Sequence, residues 1–263
     1  MLDGNAAGQA ARTLHEAWRK REAIDALPAA CLPRSRGDAF AIQSALLAQS
    51  GSAGWGWKIA ATSEAGQKHI GVDGPLAGRI YADCVDAPGA SISLAGNRMR
   101  VAEVEFAFRI GRTLAPRGSP WRSDEVLDAV EALLPSIEVP DSRFARFEQA
   151  GAPQLIADNA CAWRFVPGAP APDAWRATDL AETTVSADVG GRYRRDGVGR
   201  NALGDPRRAL AWIVNELSAH GIALEAGQVV TTGTCVIPLE IEPGDHLVAD
   251  FGALGRVDVR FTD

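Results

Sequence analysis

The segment Val101-Ala102-Glu103-Val104-Glu105-Phe106-Ala107-Phe108 constrains this chain more than any other. Its apolar and β-branched content marks a strand, and in a strand residues two apart share a face. Glu103 and Glu105 therefore project together while Val104, Phe106 and Phe108 line the other side. Two ionised carboxylates side by side in apolar surroundings repel each other and are poorly solvated. They need a proton, a Lys or Arg, or a divalent cation that prefers oxygen ligands. A fold built on this strand has to bring one of these to the pair or return the pair to solvent.

Composition narrows the setting. With 46% hydrophobic and 23% charged residues over 263 positions, the chain can bury a substantial core, as one large domain or as a small cap plus a main domain. A net charge of −6 disfavours nucleic acid or an anionic membrane as partner. No apolar run approaches a membrane span, and no basic-then-apolar signal pattern opens the chain. Cys31, Cys84, Cys161 and Cys235 are scattered without a C-x-x-C pair, which fits reduced thiols in a cytoplasmic protein.

Helical spacing predicts a helix over residues 6–27, carried by Ala10, Leu14, Trp18 and Ile24, and a second over 38–49. Together they suggest an N-terminal helical cap, residues 1–52, ahead of a β-rich body, residues 53–263. From Gly51 onward short apolar runs are cut by Gly, Pro, Asn and Asp. Strands are expected at 54–60, 79–82, 91–94, 101–110, 134–139, 163–166, 183–189, 191–195, 229–232, 246–251 and 255–261. Gly190-Gly191 and Asp196-Gly197 read as hairpin turns. Two helices interrupt this texture. One covers 123–133, and the other covers 206–220 with Asp205 as N-cap, Pro206 at the first position and Gly221 past the end. The fold class is α+β.

Glu138 sits in a second short apolar run, Leu134-Pro135-Ser136-Ile137-Glu138-Val139. Glu103, Glu105 and Glu138 together would make an oxygen-only site suited to Mg²⁺ or Mn²⁺. A solvated strand face, or ion pairs with Arg100 or Arg109, would explain the pattern equally. Lys58 is a lone charge in the apolar run Gly54–Ala60. It fits a proton carrier or a partner for a substrate carboxylate, and also a snorkelling lysine at a sheet edge. Asp158-Asn159 could line a site or cap a turn. Thr231-Thr232-Gly233-Thr234 follows an apolar strand, and its N–H groups and hydroxyls could hold a carboxylate. Trp55, Trp57 and Trp163 are candidates for an apolar wall. Cys161 and Cys235 have no histidine in a partner motif, there is no G-x-S-x-G, and Gly197-Val198-Gly199-Arg200 lacks the context of a dinucleotide fingerprint.

Taken in order, several segments resemble one family. They are Gly56-Trp57-Lys58-Ile59, Ala102-Glu103-Val104-Glu105, Ile137-Glu138-Val139 with Ser142-Arg143, Ala157-Asp158-Asn159-Ala160, Thr232-Gly233-Thr234, Pro243-Gly244-Asp245 and the tail from Ala249 to Val257. The chain resembles the 2-keto-4-pentenoate hydratase and 4-oxalocrotonate decarboxylase branch of the fumarylacetoacetate hydrolase superfamily. The resemblance implies a mixed β-roll body and a homo-oligomer, with association to a paralogous hydratase or decarboxylase. It also implies Mg²⁺ or Mn²⁺ held by Glu103, Glu105 and Glu138, and Lys58 as the proton carrier acting on a small 2-oxo acid. Leu76, Asp158, Cys161, Gly233 and Thr234 would line the substrate. Two positions depart from the family's hydratases, which usually carry Asp where this chain has Leu76 and Ser where it has Cys161. Those changes bear on water chemistry more than on metal binding or enolisation. Hydration of a 2-hydroxy-2,4-dienoate is the default expectation. Decarboxylation, acylpyruvate cleavage or tautomerisation, and a catalytically degraded accessory subunit are the alternatives.

Overall fold

The computed structural model describes residues 2–263. Helices α1 (Gly4–Lys20) and α2 (Arg36–Ser50) come first, followed by β1 (Gly54–Ala60), α3 (Glu64–His69), β2 (Leu76–Tyr81), β3 (Ser91–Ser93) and β4 (Val101–Ile110). Next are α4 (Ser123–Leu127), β5 (Val130–Val139), α5 (Ala152–Ala157), β6 (Arg164–Pro167), β7 (Thr184–Val189), β8 (Tyr193–Val198) and α6 (Pro206–Ala219). The chain closes with β9 (Val229–Thr234), β10 (Leu239–Glu240), β11 (His246–Asp250) and β12 (Arg256–Thr262).

Local chemistry sets the helix starts. Asp3 accepts from the Ala6 N–H at 2.8 Å, Ser35 from Asp38 at 3.1 Å and Asp205 from Arg207 at 2.7 Å, each satisfying a donor that the first turn leaves open. Along α1 the small and apolar residues Ala7, Ala10, Ala11, Leu14 and Ala17 form the buried stripe. Among the described residues, no helix is long and apolar enough to cross a membrane.

The strands form two sheets. The larger has the order β2-β1-β9-β4-β5-β6, with β10 also pairing to β4; the smaller runs β3-β12-β11-β7-β8. β1 runs parallel to β9 and β12 parallel to β3, while the other pairs are antiparallel. This is an α+β fold with a mixed-sheet body. The main core holds Trp57, Val104, Phe106, Phe108 and Ile137 from one face of the large sheet, together with Leu14, Phe40 and Leu46 from the first two helices. Phe106 meets Phe251 edge-on at 5.0 Å, tying the large sheet to the end of β11. Burying an aromatic ring of this size contributes roughly 1.5–3 kcal/mol. The opposite face carries a smaller cluster of Ile80, Ala107, Ala132, Leu134, Phe165 and Val229. β4 is therefore covered on both sides around Glu105, and the solvated-face alternative does not apply to that glutamate.

Several expected boundaries move. The first helix ends at Lys20, where Arg21 turns left-handed (φ 56°). Ile24 then bridges to Phe144 instead of continuing the helix. The helix expected over 123–133 stops at Leu127, because Val130 and Leu133 are recruited by β4 opposite Ile110 and Phe108. The hairpin turn is at Gly190-Gly191, whereas Asp196-Gly197 lies inside β8. A Cβ on Gly197 would come within 2.1 Å of the Cys235 carbonyl oxygen, so this glycine permits close backbone approach and makes no turn. α3, α5 and β10 are short elements whose sequence carries little periodicity.

Candidate active site

Strand register assembles the site. β4 and β5 pair with Glu103 opposite Glu138 and Glu105 opposite Ser136. Directly opposed residues share a face, so all three glutamates project from the same side of the sheet. Their carboxylate oxygens lie within 4.8 Å of one another. β9 places Thr231 opposite Ala107, and β1 places Lys58 beside Thr231, which extends this face across two more strands. β2 completes it with Gly78 opposite Lys58 and Leu76 opposite Ala60.

Glu105, Glu138 and Lys58 are each at most 2% exposed, while Glu103 is half-buried. Glu105 Oε2 accepts from the Thr231 hydroxyl and from the Gly233 N–H, the latter at 2.8 Å. The Thr231–Thr234 segment thus holds a carboxylate, and that carboxylate is the chain's own Glu105. Gly233 needs to be glycine here: its φ is +96°, and a Cβ would lie 2.1 Å from Thr62 Oγ1. Glu138 Oε1 faces Lys58 Nζ at 3.0 Å as an ion pair, and the ammonium also donates to the Ala160 carbonyl at 3.0 Å. The alternative ion pairs do not form: Arg109 pairs with Glu131, and the Arg100 guanidinium donates to the Asn97 carbonyl.

Charge is unbalanced. Burial, and then the Glu138 and Glu103 charges, hold the Glu105 carboxyl well above its ordinary range. Burial raises Glu138 as well, with Lys58 pulling against it. Burial alone would lower Lys58, but the three carboxylates outweigh it and keep the ammonium protonated. Buried Glu105 Oε1 and Glu138 Oε2 have no donor at all among the described residues, and Glu138 Oε1 has only its ion pair. Unsatisfied buried carboxylate oxygens are costly, and a hard divalent cation is the partner such an oxygen-only set accommodates. The residues present fit the metal that the resemblance implies. Thr231 and Gly233 orient the Glu105 carboxylate and would be its outer partners if it held such an ion.

The other expected residues take distinct places. Leu76 is fully buried, on the Lys58 face by register. Cys161 is buried as the last residue of the turn that receives Lys58; burial, then Asp158, push its thiol up to about 12, so it stays neutral. Thr234 donates to the Val236 carbonyl. Asp158 lies beneath the turn with its carboxylate engaged by Arg143 and Ser142. Of the three tryptophans, Trp163 lines a cleft of about 10 Å³ beside Glu138, room for about one water. Trp55 packs on Phe165, and Trp57 lies on the far face of the sheet. Sequence reasoning missed Ser136, whose hydroxyl donates to the Glu105 carbonyl at 2.9 Å; its spacing to Glu138 puts it on the same face, but its place opposite Glu105 comes from the strand register. It also missed the Ala160 carbonyl, which no side-chain pattern could reveal.

Known proteins share sequence and fold with this chain. Residues 79–262 match the family described as Fumarylacetoacetate (FAA) hydrolase C-terminal. A 2-keto-4-pentenoate hydratase of Paraburkholderia phymatum is 30% identical, with 100% of both chains covered. A 4-oxalocrotonate decarboxylase of a Pseudomonas species is 31% identical over 86% of each chain. Among solved structures, 4-oxalocrotonate decarboxylase from Pseudomonas putida G7, complexed with magnesium and adipate, has a TM-score of 0.87 at 24% identity over 99% of both chains. At that identity the likeness speaks for the fold.

Proposed function

The chain belongs to the fumarylacetoacetate hydrolase family, and from that premise we propose that it is a divalent-metal-dependent lyase acting on a short 2-oxo acid through an enolate. The observation that carries the proposal is a cluster of three glutamates, two of them buried and under-satisfied and Glu103 half-buried, beside one buried lysine. Glu103, Glu105 and Glu138 would hold Mg²⁺ or Mn²⁺. A cation there supplies positive charge where the 2-oxo oxygen becomes negative, lowering the barrier to the enolate.

This chain's own groups do the rest. Lys58 carries a proton at Nζ, fixed between Glu138 and the Ala160 carbonyl, and can hand it to a substrate carbon held against the sheet face. The same ammonium offsets part of a substrate's negative charge. Thr231 and Gly233 keep Glu105 directed at the ion. Leu76, Cys161, Gly233 and Thr234 would line the substrate; Asp158, expected among them, is fully buried with its carboxylate taken by Arg143 and Ser142 and is left out.

Two reactions use this machinery. In hydration of a 2-hydroxypenta-2,4-dienoate, a proton is delivered to C5 and hydroxide from water adds at C4. In decarboxylation of a 2-oxo-3-enedioate, the bond to the distal carboxylate breaks, its electron pair flows into the enolate and CO₂ leaves. Full-length similarity to hydratases puts hydration first. Leu76 favours the second reading, because a buried leucine on the Lys58 face cannot act as a general base for water. The same membership implies a homo-oligomer, which light scattering on the eluting protein tests.

Incubation of the purified protein with Mg²⁺ or Mn²⁺ and each compound, following dienol absorbance and CO₂, separates these readings. Absorbance lost without CO₂ supports hydration, and CO₂ supports decarboxylation. Neither reaction together with no metal bound would overturn the proposal and leave an accessory subunit.

A further inference from the structure

We propose that Arg143 and Asp158 are positioning residues for Lys58, clamping the turn of residues 159–161 so that the Ala160 carbonyl fixes the direction of the lysine ammonium. This rests on the reading of Lys58 as proton carrier.

An ammonium has three N–H donors on a long, flexible stem, and aiming one of them requires the other two to be engaged. Lys58 has two fixed neighbours, Glu138 Oε1 and the Ala160 oxygen, each at 3.0 Å. With those taken, the direction of the third N–H is set. The accuracy of the proton carrier therefore depends on where the Ala160 carbonyl points.

That carbonyl is aimed by an unusual backbone. Asn159, Ala160 and Cys161 have φ values of 51°, 49° and 64°, three successive left-handed residues with no glycine among them. L-residues resist this conformation, and a run of three persists only where the surroundings over-determine it. Here one guanidinium and one carboxylate grip both ends of the turn, and the Asn159 side chain is held besides by the Arg79 N–H and the Tyr81 hydroxyl. Arg143 Nη2 donates to the Asp158 carbonyl and Nη1 to the Ala162 carbonyl (3.0 Å), bracketing the turn at both ends. Arg143 Nε donates to Asp158 Oδ1, while Oδ2 accepts from the Ser142 hydroxyl at 2.8 Å and the Arg143 N–H at 2.9 Å. The Asp141 N–H reaches the Cys161 carbonyl at 2.9 Å. Below the turn, β2 approaches so closely that a Cβ on Gly78 would lie 1.9 Å from the Asn159 carbonyl oxygen.

Arg143 is 4% exposed and Asp158 fully buried, and a buried ion pair is a poor source of net stability once desolvation is counted. Its geometric use is clearer. A planar fork spreads its donors over three nitrogens and so reaches two separated carbonyls and a carboxylate at once, whereas a lysine's three donors radiate from a single atom. Glu138 and Arg143 stand five residues apart on one continuous segment. The end of β5 thus supplies Lys58 with one acceptor directly and governs the other through the clamp.

The test uses the full-length chain and the variants R143K and D158N. It measures Mn²⁺ affinity by calorimetry, steady-state kinetics on the dienoate and the enedioate, and a crystal structure of each variant. R143K should keep its Mn²⁺ Kd and its KM within about threefold and lose about 10–100-fold in kcat, the scale expected from misplacing a reacting group by about 1 Å. Its Lys58 Nζ to Ala160 oxygen separation should exceed 3.5 Å. D158N keeps the fork's two carbonyl bonds and should lose about 3–10-fold in kcat with metal binding unchanged. It decides the matter if R143K does not fold. Unchanged kcat in the folded variants, an intact Lys58–Ala160 contact, or a parallel collapse of kcat, KM and metal affinity would overturn the clamp. If the wild type itself turns over neither compound, the lyase reading has failed, and the clamp is then judged on the Lys58–Ala160 separation and Mn²⁺ affinity alone.

Discussion

Removing the metal should make this protein less stable as the pH rises from about 5 to 7.5, because Glu138 is a buried carboxyl that prefers its proton. Burial lifts it from an ordinary value of 4.5 to about 7. A group raised in the folded state contributes stability fully below its unfolded value, and that contribution is lost as pH climbs through the folded one. Each tenfold change in proton affinity is worth about 1.4 kcal/mol, so this span amounts to about 3 kcal/mol. For 263 residues the unfolding entropy is about 0.5 kcal/mol per degree, which converts the effect to about 5 °C in Tm. The assay is thermal melting of chelator-treated wild type and Glu138→Gln across that range. Asp38 and Asp250, which hydrogen bonds hold low, titrate with the opposite sign, and the difference between the two proteins removes their contribution; Glu105, raised by burial and then by the Glu138 charge, titrates in the same sense as Glu138 and adds to the difference. Saturating Mg²⁺ or Mn²⁺ should flatten the wild-type trend by replacing the proton with a cation. At a hundredfold excess over Kd it should add about 2.7 kcal/mol, again about 5 °C. A metal-free wild type whose Tm rises with pH relative to Glu138→Gln, or a melt insensitive to both ions, would refute the electrostatic account of the cluster.

Other consequences follow from single side chains. Glu105→Gln should lower Mn²⁺ affinity at least about 100-fold by calorimetry while circular dichroism is retained, since it removes a ligand whose outer partners Thr231 and Gly233 are already in place. Gly233→Ala should cost about 2 kcal/mol or more in denaturant melts, because its Cβ would collide with Thr62 at a left-handed backbone position. Leu76→Asp with Cys161→Ser should raise hydration of the dienoate several-fold in the absorbance assay if loss of the water-handling groups limits it, and should lower Tm by burying a new charge. All four thiols should resist iodoacetamide in the native protein by mass spectrometry, since each is buried and burial raises all of them.

Much of the candidate site was legible because its signals are local. The period of two in β4 put Glu103 and Glu105 on one face, and the lone charges of Lys58 and Glu138 stood out within apolar runs. The boundaries that moved are those where distant partners overrode local spacing. Residues 130–133 carry a helical pattern, yet β4 recruits them as strand; Ile24 leaves its helix to bridge Phe144.

By itself the sequence determined the donor chemistry: three carboxylates and one ammonium within apolar, strand-like runs, and no histidine in a partner motif for a thiol. Only the tertiary structure decided their mutual placement. The register set Glu103 opposite Glu138, and the sheet order brought Lys58 within reach of both Glu138 and a carbonyl 102 positions away. Hydrophobic alternation specifies which face a side chain occupies, because that depends on adjacent residues. Which strands become neighbours, and which backbone oxygen meets a buried ammonium, depends on packing the whole core at once.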